Sequence, residues 1–247
     1  RQPEGRTRGS VSDDWDDIAD WWVAATVDGP ADSDELLAVL RDLIGPTDVG
    51  LNVGPSGRTL DLGCGEGQAL PLLGDGAIGV DLSRRLLLRA LVHAPVVRCR
   101  LPDLAWVREG SIDRAVAVGV LELLPDAREF FDQVHVAVRS GGALTVVMNH
   151  PVVTAAGSEP LVDDDGEVVW RWGRYLEQGT LAEPAGDRTV ELHHRPRGEL
   201  LTTAADAGWR LERMVEVGAT THTVATASEP RGQQHLPSIL GARWRRN

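Results

Sequence analysis

The stretch Thr59-Leu60-Asp61-Leu62-Gly63-Cys64-Gly65-Glu66-Gly67 constrains this chain more than any other. It reads as a short apolar strand that runs into a glycine-rich turn and then a helix. Glycines at 63, 65 and 67 allow positive φ and a close approach of a ligand to the main chain. Asp61 sits at the strand's end, where its carboxylate can face a cationic group. A second apolar run, Ile78-Gly79-Val80-Asp81-Leu82-Ser83, predicts the neighbouring strand. A carboxylate at that strand's tip, here Asp81, is placed to accept hydrogen bonds from ribose hydroxyls. Together the two acids specify a nucleoside-bearing cofactor; a tight turn without a ligand is the plain alternative.

The glycine spacing narrows the cofactor. A dinucleotide fingerprint needs G-x-G-x-x-G, whereas this chain has G-x-G-x-G with an acid two residues before the first glycine. That acid would repel a pyrophosphate but suits the ammonium and sulfonium of S-adenosylmethionine. In Leu60-Asp61-Leu62-Gly63-Cys64-Gly65-Glu66-Gly67, with Asp81 downstream, the chain resembles the class I S-adenosylmethionine-dependent methyltransferases. The resemblance extends over about residues 13–245.

Bulk properties fit an ordinary globular protein rather than a disordered one. The 247 residues are 42% hydrophobic and 25% charged, enough for a sizeable core. The formal net charge is −12, and every basic residue is Arg. Such a balance argues against a nucleic-acid partner, which needs basic surface. No apolar run reaches membrane-span length and no signal-peptide h-region opens the chain, so no membrane partner is expected. Cys64 and Cys99 suit a reduced cytoplasm, the expected location.

Periodicity and punctuation lay out the remaining elements. Residues 1–12 are polar and expected to be disordered, and residues 13–247 a single domain. Trp15, Ile18, Ala19 and Trp22 recur at helical spacing between Asp13 and Thr26. A second helix is expected from Ser33 to Ile44, stopped by Gly45-Pro46. Strands near 58–62, 77–81 and 95–99 then alternate with helices near 66–73 and 83–94. Strands over 114–118 and 143–148 follow, with a helix over 125–140. This alternation predicts an α/β fold with a doubly wound, mostly parallel sheet, and the resemblance implies seven strands in the Rossmann-like methyltransferase arrangement. A helix over 198–207 and strands over 209–217 and 237–245 end the chain, the last two implied to form an antiparallel hairpin.

The resemblance also implies roles. Asp16-Asp17-Ile18-Ala19-Asp20-Trp21-Trp22 matches a lid pattern, D-x-x-A-x-x-Y, with Trp22 in place of tyrosine; docking of the tryptophans onto the core is the plain alternative. Where family members carry an Asp that binds the adenine amine, this chain has Arg100, which cannot accept a hydrogen bond. Adenine recognition then falls to backbone near Leu101 and to Leu82. Gly110-Ser111-Ile112-Asp113 matches the entry to the fourth strand, with Asp113 read as structural. The following Gly119-Val120-Leu121-Glu122 loop presents backbone, at Gly119, to the methionine end of the cofactor. The implied cofactor-binding set is therefore Trp22, Asp61, Gly63, Cys64, Gly65, Asp81, Leu82, Leu101 and Gly119.

Residues 151–196 are too long for an ordinary connection and read as a substrate lid, partly β-hairpin. His150-Pro151, Arg174-Tyr175 and His194-Arg195 resemble landmarks of a small-molecule branch of the family. His150, His194 and Tyr175 are the catalytic candidates, since a phenol or amine acceptor needs a base near neutrality whereas a carboxylate needs none. His193 and His194 should face opposite ways on a strand, a poor metal pair, and no metal is expected. Asp163-Asp164-Asp165-Gly166 lacks calcium-loop spacing and reads as a solvated turn.

The expected activity is methyl transfer from S-adenosylmethionine to an O or N nucleophile of a small molecule, with lid architecture and Arg bias suggesting natural-product biosynthesis. A binding-only protein and a nicotinamide-dependent oxidoreductase are the rivals; Asp61 and the glycine spacing disfavour the latter.

Overall fold

The computed structural model describes residues 15–28, 33–45, 57–219 and 232–247. The 1–12 segment expected to be disordered, and most of the linker expected at 50–57, lie outside them. Residues 15–17 are helical and lead into α1 (Ala19–Asp28), followed by α2 (Ser33–Ile44). The α/β series then runs β1 (Thr59–Leu62), β2 (Ala77–Asp81), α3 (Arg84–Ala90), β3 (Val96–Arg98), β4 (Ile112–Val118), α4 (Ala127–Ala137) and β5 (Val138–Asn149).

Seven strands form one sheet in the order β10-β11-β5-β4-β1-β2-β3, with β10 (Trp209–Val217) and β11 (Ile239–Arg246) closing it. Strands β3, β2, β1, β4 and β5 are parallel. β11 lies between β5 and β10, antiparallel to both. The core sits on both faces of the sheet. Leu144, Val146 and Met148 of β5 pack among Phe130, Phe131 and Leu200, on the side of α4 and α6 (Arg197–Asp206). Val147 points the other way, to Leu37, Leu40 and Leu43 of α2. This alternation is the period-two pleat of a strand buried on both sides. α2 lies close on β11: a Cβ at Gly241 would fall 2.5 Å from Val39 Cγ1.

Three expected helices are shorter than their patterns. The expected 66–73 helix is a turn ending in a 3-10 segment, Leu70–Leu72. Gly67 has φ +92° and Pro71 has no N–H, so an α-helix cannot propagate through this stretch. α3 begins as expected on Ser83, whose Oγ accepts from Leu86 N, but ends at Ala90 rather than Ala94. α4 is capped by Asp126, which accepts from Glu129 N, and gives way to β5 at Val138.

Between β5 and α6 the chain forms a four-residue helix, α5 (Pro151–Thr154), and two antiparallel hairpins. These are β6 (Glu159–Val162) with β7 (Val168–Arg171), and β8 (Gly179–Ala185) with β9 (Arg188–His194). The aspartate triplet is the β6–β7 turn, where Asp163 Oδ1 accepts from Asp165 N and Glu167 N. Among the described residues no helix is long and apolar enough to cross a membrane.

Candidate functional site

The carboxyl ends of β1, β2 and β4 open on a cavity of about 1270 Å³. The glycine-rich turn forms one wall. Gly63 and Cys64 both donate their N–H to Val80 O, which fastens the turn to β2. Gly63 has φ +77°, and a Cβ there would fall 2.3 Å from Val120 Cγ2, so only glycine fits. Asp81 shapes the same wall: Oδ2 accepts from Gly65 N at 2.9 Å and Oδ1 from Ser83 N at 2.7 Å.

Asp61 is 1% exposed, and its Oδ2 has no hydrogen-bond partner among the described residues. Burial, reinforced by the nearby Asp81 carboxylate, pushes its pKa up to about 7. A buried, unpartnered carboxylate beside a second acid is a site built for a cation. It faces a smaller cavity of about 90 Å³ that shares Trp22, Gly63, Gly65 and Gly119 with the larger one. The nine expected cofactor residues all border one of these two spaces. Trp22, Gly63, Gly65, Asp81, Leu82, Leu101 and Gly119 line the larger; Asp61 and Cys64 line the smaller. The donor set fits S-adenosylmethionine, with an acid for its cationic end, an acid for ribose and an apolar slot at Leu82 and Leu101.

The N-terminal helix roofs this region. Trp22 Nε1 lies 3.7 Å from where a Gly65 Cβ would be, and Trp15 meets Trp22 edge-on at 5.9 Å. Asp16 Oδ1 accepts from Ser83 Oγ at 2.6 Å and from Arg85 N at 3.0 Å, tying the helix to the start of α3. The β8–β9 turn closes from the other side. Arg188 pairs with Asp17 at 2.6 Å, and a Gly186 Cβ would fall 3.2 Å from Trp21.

The three catalytic candidates stand behind the cavity rather than in its wall. His150 is 2% exposed; Nδ1 accepts from Val152 N at 3.1 Å, and Nε2 donates to Glu216 at 2.8 Å. His194 is equally buried, with Nδ1 3.0 Å from Thr154 Oγ1 and Nε2 2.9 Å from Tyr175 O. Tyr175 OH accepts from Arg197 N at 3.3 Å. Both ring nitrogens of each histidine are engaged, which leaves no lone pair for an acceptor's proton. These groups tie α5, β9 and α6 together. Asp113 likewise holds Arg139 Nε at 2.7 Å and Arg58 N at 2.9 Å.

The expected set missed Glu191 and His193, which line the cavity from β9. Alternation along β9 put His193 and His194 on opposite faces but could not say which face met the cavity. Arg195, also unassigned, donates to the carbonyls of Leu121, Leu124, Pro125 and His193, clamping the end of β9 to the loop after β4. Glu122 of that loop is buried, with Oε1 accepting from Asn149 N and Nδ2. Burial raises its pKa.

Comparison with known proteins agrees with this architecture. Residues 60–146 match the family model for a methyltransferase domain. The chain is 32% identical over 97 residues to a trans-aconitate 2-methyltransferase of Rhizobium rhizogenes, covering 37% of this chain and 38% of that protein. A trans-aconitate 2-methyltransferase of Rhizobium meliloti is 31% identical over 139 residues, 53% of this chain and 54% of that one. The chain thus spans about half or less of the curated relatives it matches. A solved S-adenosylmethionine-dependent methyltransferase of Mesorhizobium loti superimposes with TM-score 0.71 at 26% identity, covering 85% of this chain and 96% of the other. A Listeria monocytogenes structure with the same fold gives 0.72 at 18% identity, covering 87% and 100%.

Proposed function

We propose that the chain is a class I S-adenosylmethionine-dependent methyltransferase, a reading that the match of residues 60–146 to a methyltransferase-domain model supports, and that it methylates an O or N nucleophile of a small molecule held under the 151–196 lid. The carrying observation is the continuous cavity of about 1270 Å³ that joins Gly63, Gly65 and Asp81 to β9. It has room for a cofactor and a small acceptor together. S-adenosylmethionine, once bound, supplies an electrophilic methyl group. The protein's part is alignment and exclusion of water. Asp61 neutralises the cationic end of the cofactor, Asp81 binds ribose, Leu82 and Leu101 flank adenine, and Trp22 covers the glycine-rich turn. The net charge of −12 supports a small acceptor over a nucleic acid. Free Cys64 and Cys99 support a reduced cytoplasm, and the lid and Arg bias support natural-product biosynthesis.

A carboxylate oxygen is the second reading of the acceptor. Arg100 lines the cavity, and no group pairs with its guanidinium among the described residues. Guanidinium suits carboxylate recognition, and the relatives' names concern a tricarboxylic acid. Incubation with methyl-labelled S-adenosylmethionine and a panel of carboxylic acids (trans-aconitate included), phenols and amines tests both. Label should enter an extractable small molecule with the wild type and fall at least about tenfold with Asp81→Ala. Cofactor binding without transfer to any acceptor would favour the binding-only rival.

A further inference from the structure

We infer that His193, supported by Glu191, is the general base of this site and that the acceptor therefore carries an ionisable O–H or N–H. The inference deepens the methyltransferase reading and rests on it.

The geometry carries the argument. His193 and Glu191 are two residues apart on β9 and so project to one face, the cavity face. His193 Nε2 lies 3.6 Å from Glu191 Oε1, within electrostatic reach but beyond a direct hydrogen bond, and Nδ1 has no partner among the described residues. His150 and His194 have no such open nitrogen. The side chain is 18% exposed, so the base is half-enclosed yet reachable from the cavity. β9 packs on the Leu121–Leu123 turn, which directly follows Gly119 and Val120 of the same cavity. The Arg195 clamp fixes that packing, since it grips His193 O and three carbonyls of residues 121–125 at once. The base is thus held on a strand rather than a loose loop, as a proton-transfer group requires.

Burial, more than the surrounding charges, favours the neutral ring. Burial comes first and Arg195 second in holding its pKa below the usual histidine range, against Glu191, which favours protonation. Glu122 lies in the turn beneath β9, and Arg100 and the Asp17–Arg188 pair stand in the cavity walls. In the reaction His193 takes the acceptor's O–H or N–H proton on Nδ1. The freed lone pair bonds to the methyl carbon, sulfur keeps the electron pair of the bond that breaks, and the proton then passes to solvent. Glu191 acts through His193 and is a positioning residue.

The test begins without an acceptor. Long-range 15N–1H NMR of the full chain saturated with S-adenosylhomocysteine reads the tautomer and titration of each histidine. His193 should carry its proton on Nε2, leave Nδ1 bare and titrate below 6.5, falling further in Glu191→Gln. A protonated Nδ1 at pH 8, or titration above 7, would overturn the proposal. In rate measurements on the acceptor that the labelling panel identifies, His193→Gln should lower kcat at least about 100-fold, with KM little changed and the pH dependence lost. An acceptor that is a carboxylate, methylated at a pH-independent rate that His193→Gln leaves intact, would overturn the base while sparing the methyltransferase reading. Failure of S-adenosylhomocysteine to bind would instead remove that reading itself.

Discussion

Replacing Asp61 by Asn should make the ligand-free protein more stable at alkaline pH while weakening its cofactor site. The carboxyl is fully buried beside Asp81, and its pKa rises from 3.8 to about 7. Between those values the folded state holds a proton that the unfolded chain has released, so stability falls as pH rises through that window. At about 1.4 kcal/mol per pKa unit the ionised group costs the folded state about 4 kcal/mol by pH 8. Asn removes the charge but places two amide donors in the same pocket, at a cost of about 1–3 kcal/mol if they stay unpaired. The net gain at pH 8 is about 1–3 kcal/mol, a rise in Tm of several degrees for a chain of this size. At pH 4 the wild-type group is already neutral, and the variant should be equal or less stable. Saturating S-adenosylmethionine should reverse the order at pH 8, because only a carboxylate attracts its cationic end. Scanning calorimetry from pH 4 to 8, with and without cofactor, follows all of this. Parallel Tm-against-pH curves for the two proteins would refute the reasoning.

Other substitutions separate cofactor, lid and scaffold. Asp81→Ala should weaken cofactor binding by about 1.5–3 kcal/mol, the range for lost bonds to a charged group, since it also frees Gly65 N and Ser83 N; wild-type affinity by calorimetric titration would contradict it. Arg195→Ala removes four carbonyl contacts and should raise acceptor KM and speed proteolysis within 179–194, with cofactor Kd little changed. His150→Ala and His194→Ala should lower Tm by the equivalent of about 1–3 kcal/mol each while leaving the pH profile of turnover unchanged, because their nitrogens hold structure. A shift in that profile would return them to the chemistry. Asp17→Asn breaks the exposed pair with Arg188 and should cost under about 1 kcal/mol of stability.

The sheet and the glycine-rich wall of the cavity were legible in the sequence because local rules determine them. Thr59–Leu62 and Ala77–Asp81 are apolar runs closed by Gly63 and by Leu82-Ser83, and each carries an acid, Asp61 or Asp81, at its last or last-but-one residue. Trp209–Val217 shows a strand's residues between Gly208 and a polar stretch. Helix ends were less legible: Gly67 and Pro71 break a pattern whose apolar spacing alone favours a helix. The chemistry of the lid was least legible. His150, His194 and His193 are the same residue type in similar surroundings. Only tertiary contacts with Glu216, Thr154 and Tyr175 bind both nitrogens of the first two and leave the third open. A Glu-x-His pair on a lid strand was the available signal. Its use required knowing which strand face the cavity occupies.

Calorimetric titration of the chain with S-adenosylmethionine and, separately, with NADH tests the central claim most directly. The Asp61 and Asp81 geometry predicts saturable one-to-one binding of S-adenosylmethionine and none of NADH. Binding of NADH alone, or of neither, would contradict it.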